Sequence, residues 1–208
     1  REDVAPYAEQ VGESVETAAR RLRYARLADC AAWQDIARIA TAHTADDNLE
    51  TMLFHLARGT GAKGMGGIPP VRGAIVRPLW AATRAEVESY LRERGQGFVT
   101  DSSNLTQDYT RNRIRHAVVP VLRGINPACT QAAERLAEQL REDDKALCAL
   151  AEQALAAARI DGGTALSAFD TFPAVRSRML TGLLTRAGVP MRQVSARHIA
   201  LLTRLLEG

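Results

Sequence analysis

Residues 35 to 61 read DIARIATAHTADDNLETMLFHLARGTG. The run from Asp35 to Ala42 is short and rich in Ile and Ala, which fits a buried parallel strand better than a helix, given the polar turn and helical pattern after it. Thr44 stands three residues before Asp47, the capping-box spacing with Asp in place of the usual Glu, and predicts a helix from Ala45 to Ala57. Strand, polar turn and helix in that order make half of a βα unit. In an open α/β sheet, ligands bind beyond the carboxyl ends of the strands, and this reading puts His43 at such an end. Asp47 and Glu50 then project from the first turns of the helix, where the dipole favours acids in any case. The acids therefore admit two readings, a stabilised helix start or a group that handles metal, phosphate or protons. The four-residue step from His43 to Asp47 allows a metal, although the pattern is not HExxH and no cysteine joins it.

Downstream of this helix, Gly59, Gly61 and Gly64 match the letters of GxGxxG. They come after a helix instead of a strand and open none of their own, so the dinucleotide reading fails on context. Lys63 is followed by Gly64 where a Walker A loop needs Ser or Thr. The segment Gly59 to Pro70 reads as a helix stop and loop whose bare backbone lets a ligand or neighbour approach closely.

A second group lies further along: DSSN (Asp101 to Asn104), then RNRIRH (Arg111 to His116). Arg111 and Arg115 share a helix face with no acid between them, so they repel mildly unless an anion such as phosphate, or plain solvation, compensates. Helical spacing runs from Arg111 to Leu122, with Pro120 kinking or ending it.

Other elements are legible around these. Ser14 opens a helix that reaches Trp33. Ala74 to Leu79 forms a short extended piece. Thr83 to Arg94 is amphipathic, with Val87, Tyr90 and Leu91 inward and Gly95 closing it. Asn126 and Pro127 start a helix with no Gly or Pro before Arg159, either unbroken or divided near Glu142 to Asp144. Gly162 and Gly163 break the chain, and two further helices are expected at about Pro173 to Ala187 and Ser195 to Leu206. The domain boundary falls near Asn126.

Composition bounds the function classes. The chain has 208 residues, 46% of them hydrophobic, enough for one large domain or two small ones. Lys63 and Lys145 are the only lysines among 27 basic residues, so arginine, suited to bidentate phosphate contact, carries almost all the positive charge. A GC-rich genome produces the same bias. A net charge of +3 permits a nucleic-acid partner without demanding one. Cys30, Cys129 and Cys148 are too scattered for a disulfide framework or a thiolate zinc site, and a reducing cytoplasm is the simplest compartment. No apolar run approaches the roughly 20 residues that a membrane helix needs. The chain opens Arg-Glu-Asp inside a charged segment without a methionine, so a longer protein is expected.

Taken together, the motifs resemble the bacterial tRNA(Ile)-lysidine synthetase family, within the N-type ATP pyrophosphatase (PP-loop) group. The resemblance rests on Glu2 to Val4 with Tyr7 and Ala8, Ala19 and Arg20 with Arg23 and Tyr24, AHTADDNLET (Ala42 to Thr51), ARGTGAKGMGGI (Ala57 to Ile68), RPLW (Arg77 to Trp80), DSSN (Asp101 to Asn104), RNRIRHAVVPVL (Arg111 to Leu122) and INP (Ile125 to Pro127). It holds in order from residue 1 to about 145 and is looser beyond Leu166.

The resemblance implies an α/β fold: the helix-dominated remnant of an adenine-nucleotide alpha-hydrolase-like (Rossmann-like) domain, followed by an all-α region. Residues 1–125 would be the C-terminal part of the PP-loop ATPase domain and 126–208 a helical tRNA-binding region. It implies ATP and Mg²⁺ as cofactors, and free lysine and an isoleucine tRNA with a CAU anticodon as partners. No membrane is expected, and a homodimer is allowed. In the implied reaction, ATP adenylates C2 of the wobble cytidine and lysine then displaces AMP.

By match to the family's motifs, His43 and Asp47 go to the adenylation centre, with Asp47 a candidate Mg²⁺ ligand. Arg20, Arg23, Arg58, Gly59 and Gly61 go to nucleotide or phosphate. Glu50, Asp101, Asn104, Arg111, Asn112 and Arg115 go to lysine or tRNA. The family's SGGxDS phosphate loop appears nowhere in this sequence and its place lies upstream of Arg1. These residues alone are therefore expected neither to bind ATP tightly nor to turn over. Two alternatives stay open. One is another PP-loop tRNA-modifying ATPase, such as a thiolase, against which the unpaired cysteines argue. The other is a non-catalytic helical RNA-binding module.

Overall fold

The computed structural model describes residues 3–99, 110–161 and 163–206. They divide into two compact units, the first made of residues 1–58 and 67–134, the second of 59–66 and 135–208. The later change of unit falls between residues 134 and 135.

In the first unit, α1 (Val4–Val11) has no counterpart among the elements expected from sequence; Asp3 caps it, its side chain accepting the N–H of Ala5 at 3.2 Å. Gly12, at φ +64, ends α1 in the left-handed conformation that glycine adopts without strain. The chain then enters α2 (Val15–Trp33), capped by Ser14 as its sequence predicts. Asp35, a non-glycine residue at φ +52, turns the chain out of α2. The strand expected over Asp35 to Ala42 contracts to β1 (Ile39–Ala40). β1 pairs in parallel with β3 (Ile75–Val76), which pairs antiparallel with β2 (Val71–Arg72), giving the order β1-β3-β2. The register sets Ile39 beside Ile75 and Ala40 beside Val76. Parallel pairing of β1 is what places the segment after it, Thr41 to Thr44, beyond a strand's carboxyl end.

Helix α3 (Ala45–Ala57) starts and stops where the capping box and glycine predict. Both halves of the box form: Asp47 N–H donates to Thr44 Oγ1, and Thr44 N–H donates to Asp47 Oδ2 at 2.8 Å. Leu49, Ile114 and Val119 make the buried apolar contact under it, with Leu53, Phe54, Cys129 and Ala133 packed around. Asn48, only 1% exposed, accepts the N–H of Ile68 at 2.7 Å and so ties the loop after Gly66 to α3. Trp80 Nε1–H donates to the Ile68 carbonyl at 2.5 Å.

Helix α5 (Arg84–Glu93) carries its own box between Thr83 and Glu86. Tyr90, expected inward, is instead exposed, its ring under the guanidinium of Arg94. The helix expected over Arg111 to Leu122 is built from three pieces: α6 (Thr110–Arg113), a π turn (Ile114–Val118) and α7 (Val119–Ile125). Pro120 sits in the first turn of α7, where its missing N–H costs nothing.

Helix α8 (Cys129–Ala157) is unbroken, so the acidic cluster at Glu142 to Asp144 does not divide it. In the second unit, the segment expected as bare loop contains a one-turn helix, α4 (Ala62–Met65), whose end is fastened when Arg141 donates to the Gly66 carbonyl at 2.6 Å. The second unit is not wholly helical either. A two-stranded ribbon, β4 (Arg159–Ile160) against β5 (Gly163–Thr164), comes after α8. Beyond it lie α9 (Pro173–Arg186) and α10 (Ala196–Leu206), packed with α8 around Met179, Leu155, Phe169 and Val175. No described helix is long and apolar enough to cross a membrane.

Candidate active site

A cavity of about 770 Å³ opens in the first unit at the carboxyl end of β1, within the range of small-ligand sites. Thr41, Ala42 and His43 line it from the strand end, Arg20, Arg23 and Tyr24 from α2, and Asp47 from α3. Arg84, Arg111, Asn112 and Arg115 complete the polar wall. Five arginines therefore face one carboxylate, a balance that favours a polyanionic occupant.

Arg20 lies with its guanidinium 5.2 Å from the centre of the Tyr24 ring, and Arg20 and Arg23 are both exposed on α2. No described carboxylate pairs with either, so both are cations a ligand can use. Both are the residues that the sequence resemblance assigns to nucleotide or phosphate.

The arginines of RNRIR are placed differently. Arg115 forks onto Glu50, with Nε to Oε1 at 2.6 Å and Nη2 to Oε2 at 2.9 Å. Arg111 donates Nε to Glu50 Oε2 at 3.1 Å and Nη2 to Asp47 Oδ1 at 3.2 Å. The anion that relieves their mutual repulsion is thus a pair of protein carboxylates from α3, more than sixty residues earlier in the chain, and not a phosphate. Fork-to-fork geometry in a mostly buried setting is the strong form of this interaction. The hydrogen bonds that Arg115 donates to Glu50 hold its guanidinium even more firmly protonated than usual.

Glu50, expected to meet lysine or RNA, is 3% exposed with both oxygens taken by arginines. In this arrangement it acts as a positioning residue. Asp47 is similarly engaged: Oδ2 accepts from the backbone and hydroxyl of Thr44, and Oδ1 from Arg111 with Arg115 at 3.6 Å. Its fit as a Mg²⁺ ligand is correspondingly poor, because arginine would have to yield. Among the described residues no group of three acids, histidines or cysteines is arranged to hold a metal. Asp46 is structural: it is buried, accepts the N–H of Arg84 at 2.6 Å and pairs with Arg123.

His43 is half-buried, its Nδ1 3.0 Å from Thr41 Oγ1. Burial lowers its pKa below the ordinary 6.5; Asp47 pulls the other way, and Arg77, Arg20 and Arg111 add to the lowering. A neutral imidazole at the cavity wall can accept a proton at neutral pH. Asn112 is buried at the same wall.

Arg58, Gly59 and Gly61, expected at the nucleotide, are not among the residues that line this cavity. Arg58 stacks over Phe54, 5.0 Å from the ring centre, and lines a different cavity. Gly59 and Gly61 belong to the second unit, where Gly59 at φ +70 forms the left-handed turn after α3. Asp101 and Asn104 lie outside the described residues. Tyr24 and Arg84 line the same cavity and Arg77 acts on His43, although no sequence motif assigns any of the three a role of its own. Arg77 is buried, and its position in RPLW was the one available signal.

The PP-loop domain family matches residues 2–122. A tRNA(Ile)-lysidine synthase of Geobacter sulfurreducens is 38% identical over 213 residues, covering 99% of this chain and 45% of that protein. The protein of the same name from Parabacteroides distasonis is 38% identical over 203 residues, covering 97% of this chain and 46% of its own length. That of Bacteroides thetaiotaomicron reaches 49% over 122 residues, 59% of this chain and 29% of that protein. The chain spans less than half the length of these curated relatives.

Proposed function

Because the chain belongs to the PP-loop family, we propose that it serves an ATP-dependent tRNA ligase that joins free lysine to the wobble cytidine of an isoleucine tRNA with a CAU anticodon. The observation that carries this reading is the cavity at the end of β1, where five arginines, one carboxylate and a neutral histidine converge. The relatives named tRNA(Ile)-lysidine synthase supply the substrates.

In the first step the cytidine oxygen bonds to the α-phosphorus, the bond to the bridging oxygen breaks, and pyrophosphate leaves. Negative charge grows on the phosphoryl oxygens and on the leaving group. Arg20 and Arg23 are the cations free to meet it, and pre-aimed charge of this kind is commonly the largest catalytic contribution. Mg²⁺ entering with ATP would supply further neutralisation at the phosphates. Asp47 is the acid at hand on this wall, yet its engaged oxygens suit it better to holding Arg111 and Arg115.

In the second step the lysine nitrogen bonds to C2, and AMP departs with the former cytidine oxygen. The attacking amine must first lose a proton, since an ordinary ammonium titrates near about 10.4. His43, kept neutral, is the group placed to receive it. Glu50, Arg111 and Arg115 form the braced wall against which tRNA or lysine is positioned.

Residues 126–208 are assigned to tRNA contact, with the cytoplasm as the compartment and a homodimer as a permitted assembly. The test is direct: the full gene product, incubated with ATP, lysine and the tRNA transcript, yields lysidine in the digested nucleosides by mass spectrometry. Absence of lysidine with any tRNA carrying a CAU anticodon would refute the reading.

A further inference from the structure

The first unit holds a second cavity, of about 540 Å³, lined by Arg20, Arg58, Arg72, Arg77 and Arg111. Glu50 is its one acid, and it is already committed to Arg111 and Arg115. Among the described residues no carboxylate pairs with Arg58, Arg72 or Arg77.

Arg77 is the unusual member. It is 4% exposed, donates Nη1 to the Pro69 carbonyl at 2.6 Å, and leaves its buried Nε without an acceptor. Burial, Arg72 and Arg20 weaken its charge, Tyr24 supports it, and the net effect lowers its affinity for the proton. A buried cation with an unmet donor costs free energy that an anion would recover. Arg58 and Arg72 are exposed, and the Arg58 guanidinium carbon lies 5.0 Å from the centre of the Phe54 ring, a contact that narrows the orientations it must give up on binding.

We propose that this cavity is a subsite for a phosphate group, with Arg77 as its buried anchor and Arg58 and Arg72 at its mouth. The phosphate belongs to an RNA backbone or to a free phosphate or pyrophosphate ion. The RNA source rests on the proposed tRNA ligase function; the small-ion source does not.

Two binding measurements on the full gene product, without ATP or lysine, separate the sources and are independent of any failed ligation assay. Calorimetry uses inorganic phosphate and pyrophosphate. Filter binding uses the tRNA transcript over a salt series. The variants are an Arg58→Ala, Arg72→Ala double, exposed at both positions, and Arg77→Met, with Arg77→Lys as the charge-keeping control.

If the source is RNA, the double variant loses about one unit of log–log salt slope per lost phosphate contact. Arg77→Met weakens tRNA binding and Arg77→Lys restores part of it. If the source is a small ion, the phosphate or pyrophosphate heat disappears while the tRNA slope stays unchanged. Should Arg77→Met fail to fold, the double variant decides alone. Wild-type ion binding together with an unchanged tRNA slope in the double variant overturns the proposal, as does a wild-type protein that binds neither ion and whose tRNA slope ignores both arginines.

Discussion

Glu50 and Arg115, 65 residues apart, meet carboxylate to guanidinium in a two-pronged pair of 2.6 and 2.9 Å that fastens α3 to the π turn. Glu50→Gln keeps the shape and removes the charge, leaving two half-buried guanidiniums with a single nearby carboxylate. Breaking a buried pair on one side costs about 3–5 kcal/mol. Urea unfolding of Glu50→Gln should fall by that order, and Arg115→Lys should lose part of it because an ammonium cannot reproduce the fork. An unchanged midpoint for both would separate this pair from stability.

Asp46 joins two elements through the Arg84 N–H at 2.6 Å and the Arg123 side chain. Asp46→Ala leaves the Arg84 N–H at the start of α5 without its acceptor and strips Arg123 of its partner, at about 1–2 kcal/mol. Amide exchange along Arg84 to Val87 should accelerate in the same variant, while α3 stays protected.

Gly67 sits at φ +63, and a Cβ there would stand 2.2 Å from Asn48 Oδ1, the oxygen that accepts the Ile68 N–H. Gly67→Ala therefore meets both backbone strain and a clash with a fixed amide. The expected loss is more than about 1 kcal/mol. Combined with Asn48→Ala, the two losses should not add, since both act on one contact.

His43 provides the pH test. Its folded pKa lies below 6.5 and its unfolded pKa at the ordinary value, so as pH falls the unfolded chain takes up the proton first. The contribution of His43 to stability is present above pH 6.5 and is lost as pH falls through the folded value. An NMR titration of the His43 ring should show a midpoint below 6.5. In the ligation assay, the acid limb should track that midpoint and vanish in His43→Gln. A midpoint at or above 6.5 would contradict the burial account.

Local signals were the readable part of the sequence. The Thr44 and Asp47 box and the glycine beyond Arg58 bounded α3 at both ends, Ser14 marked the start of α2, and the absence of Gly and Pro anticipated the unbroken α8. Each of these is decided within a few residues. The pairing of Arg111 and Arg115 with Asp47 and Glu50 depends on tertiary approach, so the arginines read as unpaired. The π turn at Ile114–Val118 has no short-range signature, and β1 is shortened by Asp35, whose left-handed turn has no glycine to announce it. The resemblance pointed to Arg20, Arg23, His43 and Asp47 together, and the fold brings those four to one cavity. It could not foresee that Arg77 would be buried beside Tyr24.

The cations of α2 are central to the proposed chemistry, because they stabilise charge in the adenylation step. Arg20→Ala with Arg23→Ala, in the full gene product, removes two exposed side chains that no described ion pair requires. Single-turnover pyrophosphate release with saturating tRNA should slow by about 10²–10³-fold with the unfolding midpoint unchanged. Wild-type release by the double variant would contradict this role.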